Sequence, residues 1–338
     1  MNQSHPTDFS RQLTVPGMSP AAQEKLARAR VLVFGAGGLA ASAVPWLAAS
    51  GIGHLTIVDG DTVSASNLHR QLPFTYADIG KPKAEMLADY CRARMAEGTC
   101  EAIARELGGA EILQYLQTHD VALDCTDSRA LAYQLNDAAL LCAKPVVFAN
   151  ASALAGQLFV LHPGEDQPCW RCLWPEEVLP GGNCDALGVM GPVPGVMGML
   201  QALETLKVLA GFAAPLRGEV LQYDFARLAQ SRFAVPRAPD CNHRPRMDDD
   251  SVFDEDWQAA RAQGLRVIDI RSAEETAARP CAFADGEVPM DALLATPAAY
   301  LGGAPVLLVC ASGQRAQSAA RLLHAQGFAQ VRAYPRRW

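Results

Sequence analysis

The chain of 338 residues is half hydrophobic and carries 29 basic and 36 acidic side chains, for a formal net charge of −7. This is enough apolar material for one large domain or two ordinary ones, and the composition excludes a disordered protein. A mildly acidic chain without a basic block disfavours nucleic acid as a partner. The start lacks the apolar core of a signal peptide, and proline, glycine and histidine interrupt the most apolar window, residues 39–58. We therefore predict a cytoplasmic protein without a membrane span.

The first two thirds of the chain alternate between predicted helices and strands. A helix over residues 21–30 leads into a strand at 31–34, a glycine turn, a helix at 39–49 and a strand at 55–59. Further strands are predicted at 121–124 and 146–149, on either side of a helix at 129–143. The spacing of Met197, Leu200, Leu203, Leu206 and Leu209 predicts a helix over 194–210 with this stripe in the core. The alternation predicts an α/β fold with a mostly parallel sheet and a nucleotide site at the strand ends.

A second unit follows a change in composition between residues 236 and 256. Three prolines and three consecutive aspartates in this stretch are typical of a solvated linker. Beyond it we predict strands at 267–270, 306–309 and 330–333 and a helix at 317–326. The predicted organisation is a domain over 1–242, a linker over 243–256 and a small α/β domain over 257–338.

The glycine turn predicts a phosphate site. Gly35, Gly37 and Gly38 follow the first strand, and glycine lets the backbone and the next helix N-terminus approach a phosphate. Asp59 closes the second strand, where an acidic residue meets ribose hydroxyls. These features alone indicate a nucleotide, with an NAD-dependent oxidoreductase as the default interpretation.

The residues that follow favour a triphosphate over a dinucleotide. Asn67, Arg70 and Lys83 bring polar donors and two cations toward the glycine turn. A triphosphate needs such charge neutralisation for a leaving group to depart, whereas a pyrophosphate bridge does not. Asp127 follows a later strand and offers carboxylate oxygens suited to Mg²⁺.

Together these pieces resemble the ThiF/MoeB/HesA family of ubiquitin-activating-type adenylyltransferases. The matching segments run in order over about residues 8–242: residues 10–12, the Gly35 turn, 59–63, 66–71, 80–83, 124–128, 165–172, 188–192, and 201–204 with Lys207. The resemblance implies a Rossmann-like ATP-binding domain that adenylates the C-terminal glycine of a small ubiquitin-like sulfur carrier ending in Gly-Gly. It implies that ATP and Mg²⁺ are held by Gly35, Gly37, Gly38, Asp59, Asp61, Ser66, Asn67, Arg70, Lys83, Asp127 and Ser128. It also implies a homodimer in which Arg11 reaches the partner subunit's triphosphate.

The implied adenylation step suits these residues. The attacking carboxylate is already ionised at neutral pH, so no strong general base is required. Catalysis would rest on positioning and on charge neutralisation by Arg11, Arg70, Lys83 and Mg²⁺.

Two groups among the ten cysteines invite a functional interpretation. Cys169 and Cys172 have the Cys-x-x-Cys spacing of two zinc ligands. The family completes this zinc site with a second Cys-x-x-Cys pair, but here Cys241 is followed by His243 and Arg244. A zinc site of three cysteines and His243 and an incomplete site both stay open, with a redox role for the first pair as a lesser alternative. Cys184 matches a family position that takes the carrier's acyl group or joins a disulfide with it.

Cys310 is the stronger candidate nucleophile. It ends a strand before a helix N-terminus, where backbone N–H groups and Arg315 would stabilise a thiolate and bind an anionic sulfur donor. Residues 310–315, 267–271 and 327–331 resemble a rhodanese domain, which implies a persulfide on Cys310 and sulfur transfer. The middle of this domain matches weakly, and its end is expected to be truncated. We predict that the other five cysteines, at 91, 100, 125, 142 and 281, are small buried hydrophobes.

Two alternatives to the adenylyltransferase remain. An NAD-dependent oxidoreductase would use the glycine turn and Asp59 but leave Arg70, Lys83 and Cys310 without a role. A non-catalytic module that binds ubiquitin-like proteins would explain the incomplete zinc set. The sequence leaves open whether the carrier serves molybdopterin synthesis, thiamine synthesis or another pathway.

Overall fold

The chain contains two compact units. The structure is a computed structural model, and it describes residues 7–164, 166–175, 188–239, 241, 257–311 and 313–334. Contacts between residues divide the chain into two units. One consists of Met1–Asp127 and Leu131–Pro245, and the other consists of Ser128–Ala130 and Arg246–Trp338.

The first unit is built on an eight-stranded sheet. Its strands are β1 (Arg30–Phe34), β2 (His54–Val58), β3 (Thr99–Ile103), β4 (Val121–Asp124), β5 (Val146–Ser152), β6 (Ala155–Leu161), β7 (Glu219–Asp224) and β8 (Ala229–Ala234). They lie in the order β3-β2-β1-β4-β5-β6-β7-β8. The first five are parallel and the last three antiparallel. The order reverses between β1 and β4, which is where Rossmann-like sheets open a crevice for ligands.

The described part of this unit contains eight helices, two before β1 and six between later strands. They are α1 (Ser10–Leu13), α2 (Pro20–Arg28), α3 (Ala40–Ala49), α4 (Lys83–Arg92), α5 (Gly109–Gln117), α6 (Arg129–Cys142), α7 (Trp170–Leu173) and α8 (Pro192–Ala210). Short 3₁₀ turns occupy Ala65–Asn67 and Tyr76–Asp78. The core combines β1, β2 and β4 with the buried faces of α3, α4 and α8.

The second unit holds a four-stranded parallel sheet in the order β10-β9-β11-β12. Its strands are β9 (Arg266–Asp269), β10 (Gly286–Glu287), β11 (Val306–Val309) and β12 (Val331–Ala333). Its helices are α9 (Trp257–Ala262), α10 (Ala273–Ala278), α11 (Met290–Ala295), α12 (Pro297–Leu301) and α13 (Gln314–Ala325). Apolar clusters on both faces of β9 and β11 give this unit its own core.

The α/β architecture is confirmed, and each predicted strand is present with its bounds shifted by at most a few residues. The predicted core stripe on α8 is wrong in part. Leu203 is exposed, while Leu200, Leu206 and Leu209 are half-buried against the core. The buried face instead carries small and polar residues, which let α8 pack closely on α3. Among the helices that the structure describes, none combines the length and apolar character needed to span a bilayer.

Candidate functional site

The glycine turn sits at the carboxyl end of β1, beside the ends of β2 and β4. The N–H of Gly35 donates to the carbonyl of Val58 at 2.8 Å, which ties the turn to β2. Gly35 has φ of +87°, and a Cβ there would lie 2.9 Å from the carbonyl oxygen of Cys125 at the end of β4. Both the dihedral and the close approach require glycine, so the ends of β1 and β4 pack closely here.

Asp59 fixes the turn with both oxygens of its carboxylate. One oxygen accepts from the N–H of Ala36 at 2.6 Å, and the other accepts from the N–H of Asp61 at 2.7 Å. Burial raises the pKa of Asp59, and these two N–H groups together with the charge of Lys83 partly offset that rise. The carboxylate predicted to meet a ribose therefore also shapes the loop that would hold the phosphates.

Lys83 is the buried cation of the site. It begins α4, and its Nζ donates to the Asp61 carboxylate at 2.9 Å. Its backbone N–H also donates to the carbonyl of Asp61, at 2.9 Å. The Lys83 side chain is 9% exposed and that of Asp61 is 31% exposed, so the ammonium group is held in place while its partner still meets solvent.

The segment between β2 and α4 brings Arg70 to the glycine turn and carries the buried Asn67. Asn67 is buried, and its side-chain oxygen accepts from the N–H of Ser64 at 3.1 Å. The Arg70 guanidinium donates to the carbonyl of Ser66 at 2.9 Å and contacts the ring nitrogen of His69 at 2.8 Å. A Cβ built on Gly38 would lie 3.6 Å from Cδ of Arg70. The cation is therefore adjacent to the turn.

The end of β4 contributes a second acidic group. Asp124 is buried and accepts from the N–H of Thr126 at 3.0 Å and from its hydroxyl at 2.7 Å. Burial raises the pKa of Asp124 to about 7, and the nearby charge of Asp127 adds to the rise. Asp127 is exposed and is followed by the half-buried Ser128, so these two predicted ligands lie on the loop that leaves β4.

Arg11 lies away from the glycine turn of its own chain. It is part of α1, and the neighbouring Gln12 donates from its side chain to the carbonyl of Ser50 at 3.1 Å. Ser50 caps the far end of α3, a ten-residue helix about 15 Å long whose other end adjoins the turn. Arg11 is exposed there, and the structure therefore does not bring it together with the other predicted site residues.

Three of the four predicted metal ligands converge. The Sγ of Cys169 lies 3.8 Å from that of Cys172 and 3.6 Å from that of Cys241, and all three lie within 4.8 Å of one another. Disulfide sulfurs are about 2.05 Å apart, so these are free thiols. Tetrahedral zinc with Zn–S bonds of about 2.3 Å requires sulfurs about 3.8 Å apart, which this set matches. His243, the fourth predicted ligand, lies outside the described residues.

The cysteine cluster is anchored to α6, the helix that follows Ser128. The N–H of Trp170 donates to the side-chain oxygen of Asn136 at 2.8 Å, and the Tyr133 hydroxyl donates to the carbonyl of Trp174 at 2.8 Å. Arg171 forms a buried ion pair with Asp137. The ring of Trp170 stacks on that of Phe148 in β5. Cys184 follows in the chain and lies outside the described residues.

In the second unit, Cys310 follows β11 and is completely buried. Its sulfur accepts from the N–H of Ala316 at 3.4 Å, in the first turn of α13. Arg315 does not contact this sulfur in any hydrogen bond described; its guanidinium pairs with Glu275 through bonds of 2.7 and 2.6 Å. Of the two features predicted to act on Cys310, the N-terminus of α13 is the one whose contact with the sulfur is described.

The sequence assigned no structural role to Gln201, although it belongs to the family-matching segment 201–204. Gln201 in α8 is fully buried and donates to the carbonyls of Asp124 and Val147 at 2.8 and 3.1 Å. Its place in that segment was the sequence signal that could have found it. Of the five cysteines expected to be buried, four are, and Cys142 is half-buried.

The first unit is similar in sequence to known proteins. The model of the ThiF family matches residues 9–243. A sulfur carrier protein adenylyltransferase of Thermus thermophilus is 39% identical over 70% of this chain and 91% of its own length. The sulfur carrier protein ThiS adenylyltransferase of Escherichia coli is 38% identical over 69% of this chain and 92% of its own length.

Two further matches cover less of the proteins to which this chain is similar. The adenylyltransferase and sulfurtransferase MOCS3-1 of Zea mays is 39% identical over 74% of this chain but only 53% of its own length. A crystal structure of Escherichia coli MccB with MccA-N7isoASN superposes with a TM-score of 0.62 at 23% identity, covering 69% of this chain and 73% of that chain. At 23% identity the superposition indicates a similar fold and nothing about function. The family match covers the unit that holds the glycine turn and Lys83, and the chain belongs to the ThiF family.

Proposed function

We propose that this chain is an enzyme that adenylates the C-terminal glycine of a small ubiquitin-like sulfur carrier at the expense of ATP. The observation that carries the proposal is the convergence of the Gly35 turn, the Lys83–Asp61 pair and Arg70 where the strand order reverses. Relatives that match over more than nine tenths of their length are named sulfur carrier protein adenylyltransferases. An NAD-dependent oxidoreductase would leave the buried ammonium group of Lys83 without a ligand to neutralise.

In the proposed reaction the carrier's carboxylate attacks the α-phosphate of ATP and pyrophosphate leaves. The glycine turn and the N-terminus of α3 would hold phosphate oxygens with backbone N–H groups. Lys83 and Arg70 would neutralise the charge that develops on the leaving pyrophosphate. Arg70 would have to exchange its bond to the Ser66 carbonyl for one to phosphate, whereas Lys83 is already fixed. Asp59 retains free lone pairs for the ribose hydroxyls.

The loop after β4 suits a magnesium ion. Asp127 is exposed and its carboxylate oxygens are the ligands that Mg²⁺ prefers. When bound, the ion would supply charge neutralisation to the triphosphate. Asp124 would not be a ligand in the fold described, because it is buried and its oxygen is engaged by Thr126.

The place of Arg11 supports a homodimer in which the site is completed by a second copy. Arg11 lies at the end of α3 opposite the glycine turn, about 15 Å from it along the helix. It would therefore serve the partner's ATP and not its own.

We further propose that Cys169, Cys172 and Cys241 hold a zinc ion together with His243. The match between their sulfur separations and a tetrahedral site supports this. The bonds from α6 to Trp170 and Trp174 give the ion a structural role, because they fix the cysteine loop beside β5.

The second unit would supply sulfur. Its four-stranded parallel sheet, with Cys310 at the start of a helix, supports a rhodanese-like domain that carries a persulfide on Cys310. Because the thiol is buried, loading it requires a local rearrangement. Cys184 would take the carrier's acyl group or form a disulfide with the carrier. Tethering both units to one chain would keep the persulfide near the acyl-adenylate.

ATP–pyrophosphate exchange tests the adenylation. With the purified chain and a carrier ending in Gly-Gly, we expect labelled pyrophosphate to enter ATP. The same carrier without its last glycine is the matched control and should support none. Absence of exchange with every Gly-Gly carrier tried, although ATP binds, would refute the proposal.

A further inference from the structure

The cation predicted to bind the sulfur donor is already paired within its own unit. The two terminal nitrogens of Arg315 donate to the two carboxylate oxygens of Glu275, at 2.7 and 2.6 Å. Glu275 belongs to the first turn of α10, and one of its oxygens also accepts from the N–H of Ser272 at 3.0 Å. The bonds from Arg315 hold the pKa of Glu275 near 2, so the carboxylate stays ionised at any physiological pH.

This pair changes the electrostatics of the Cys310 site. A bidentate guanidinium–carboxylate pair is neutral overall, and here the carboxylate engages two of the five N–H donors of the guanidinium. A doubly charged donor such as thiosulfate would have to displace Glu275 or bind beside its negative charge. The buried sulfur of Cys310 keeps its contact with the N–H of Ala316 in either case. The nucleophile is therefore prepared independently of Arg315, whereas binding of an anion is not.

We propose that Glu275 is a specificity-determining residue that directs Cys310 toward persulfide donors and away from thiosulfate. The inference rests on the sulfur transfer proposed above. In either reaction the Cys310 thiolate attacks the outer sulfur of the donor, and the donor's S–S bond breaks with both electrons leaving on the departing group. A persulfide RSS⁻ releases the thiolate RS⁻, while thiosulfate releases sulfite, so neither step needs an oxidant. Only thiosulfate brings a second negative charge that requires an available guanidinium.

Replacing Glu275 by Gln tests this assignment. The amide keeps an oxygen for the Ser272 N–H and removes the charge that holds Arg315. Glu274→Gln is the matched control, because Glu274 is the adjacent, exposed residue of the same helical turn and loses the same charge. The probes are thiosulfate and the persulfide of 2-mercaptoethanol, and Cys310→Ala corrects for sulfur taken up by other cysteines. The rate of gain of one sulfur atom is followed by intact mass.

The decisive quantity is the ratio of the thiosulfate rate constant to the persulfide rate constant, which cancels any loss of folded protein. We expect Glu275→Gln to raise this ratio about tenfold, the effect of one charge-assisted hydrogen-bonded pair. Glu274→Gln should leave it unchanged, and adding Arg315→Gln to Glu275→Gln should abolish the gain.

Two results would overturn the assignment: a ratio in Glu275→Gln equal to that in Glu274→Gln, or a gain that survives without Arg315. A different result marks failure of the sulfur transfer itself. If neither donor loads Cys310 in the unaltered protein, then the second unit is not a sulfurtransferase. Loading by the persulfide with an unaltered ratio would refute only the role of Glu275.

Discussion

Lys83 offers the sharpest test of how the nucleotide site works, because the chain contains a matched lysine two residues earlier. Both lysines form an ion pair of similar length: Lys83 with Asp61 at 2.9 Å and Lys81 with Asp78 at 3.0 Å. They differ in burial, since the side chain of Lys83 is 9% exposed and that of Lys81 is 49% exposed. Replacing each by Met removes the charge and keeps most of the side-chain volume.

The burial of the two pairs sets the expected loss of stability. Breaking a fully buried pair costs about 3–5 kcal/mol because the remaining charge is left unpaired. Asp61 is 31% exposed and regains part of its hydration, so we expect Lys83→Met to lower the free energy of unfolding by about 1–2 kcal/mol. An exposed pair contributes about 0–1 kcal/mol, and Lys81→Met should fall in that range. Urea denaturation of the two variants measures the difference.

The catalytic effect should be much larger than the structural one. Removing one prearranged donor that faces developing charge costs about 10²–10³-fold in rate. We expect Lys83→Met to lower ATP–pyrophosphate exchange by that factor and Lys81→Met to leave it near the level of the unaltered protein. Adding Asp61→Asn to Lys83→Met should restore stability and leave exchange low. If the double variant regains exchange, or if the two single variants lose it equally, then Lys83 acts only through the fold.

Three further predictions concern other parts of the chain. Burial raises the pKa of Asp124 to about 7 from 3.8, so its ionisation destabilises the fold as pH rises from about 4 to 7. Asp124→Asn should therefore gain stability relative to the unaltered protein across that window, by at most about 4 kcal/mol. Urea denaturation at about pH 5 and pH 8 measures this gain. Cys241→Ser should abolish the zinc binding that metal analysis measures. The control Cys142→Ser changes a half-buried cysteine outside the cluster and should bind as much zinc as the unaltered protein. Equal zinc in both variants would contradict the assigned ligands. Gly35→Ala should destabilise the chain by more than about 2 kcal/mol and weaken ATP binding, because the residue has φ of +87° and its Cβ would meet a backbone carbonyl at 2.9 Å; an unchanged melting temperature would contradict this.

Four of the five parallel strands of the large sheet could be predicted from the sequence, whereas β3 and the three antiparallel strands could not. Strands such as Arg30–Phe34 and Val121–Asp124 are short, almost continuously buried apolar runs next to glycine or aspartate. The edge strand Ala229–Ala234 is exposed at every residue, so it carries no hydrophobic alternation to detect. Thr99–Ile103 is similarly mixed in polarity, and its pairing with His54–Val58 decides its conformation.

The site residues could be named from motifs, but their partners could not. Lys83 and Asp61 are 22 positions apart, and Arg315 and Glu275 are 40 apart. Such pairs depend on which helices the sheet places side by side, and no local pattern encodes that. The sequence therefore predicts Arg315 as a cation near Cys310, but it does not predict that Arg315 pairs with a carboxylate from another helix.

Gln201 shows why the missing information lies in the packing. The carbonyls of Asp124 and Val147 are in the core, and a buried carbonyl left without a donor costs about 1–3 kcal/mol. The one amide group of Gln201 donates to both, so a leucine at this position would add apolar contact yet lose two hydrogen bonds. This explains why the buried face of α8 is polar at its centre while Leu203 is exposed. The bond to Asp124 holds the end of β4, where the loop of Asp127 begins, so packing of the core and placement of the loop proposed to face the phosphates depend on one side chain.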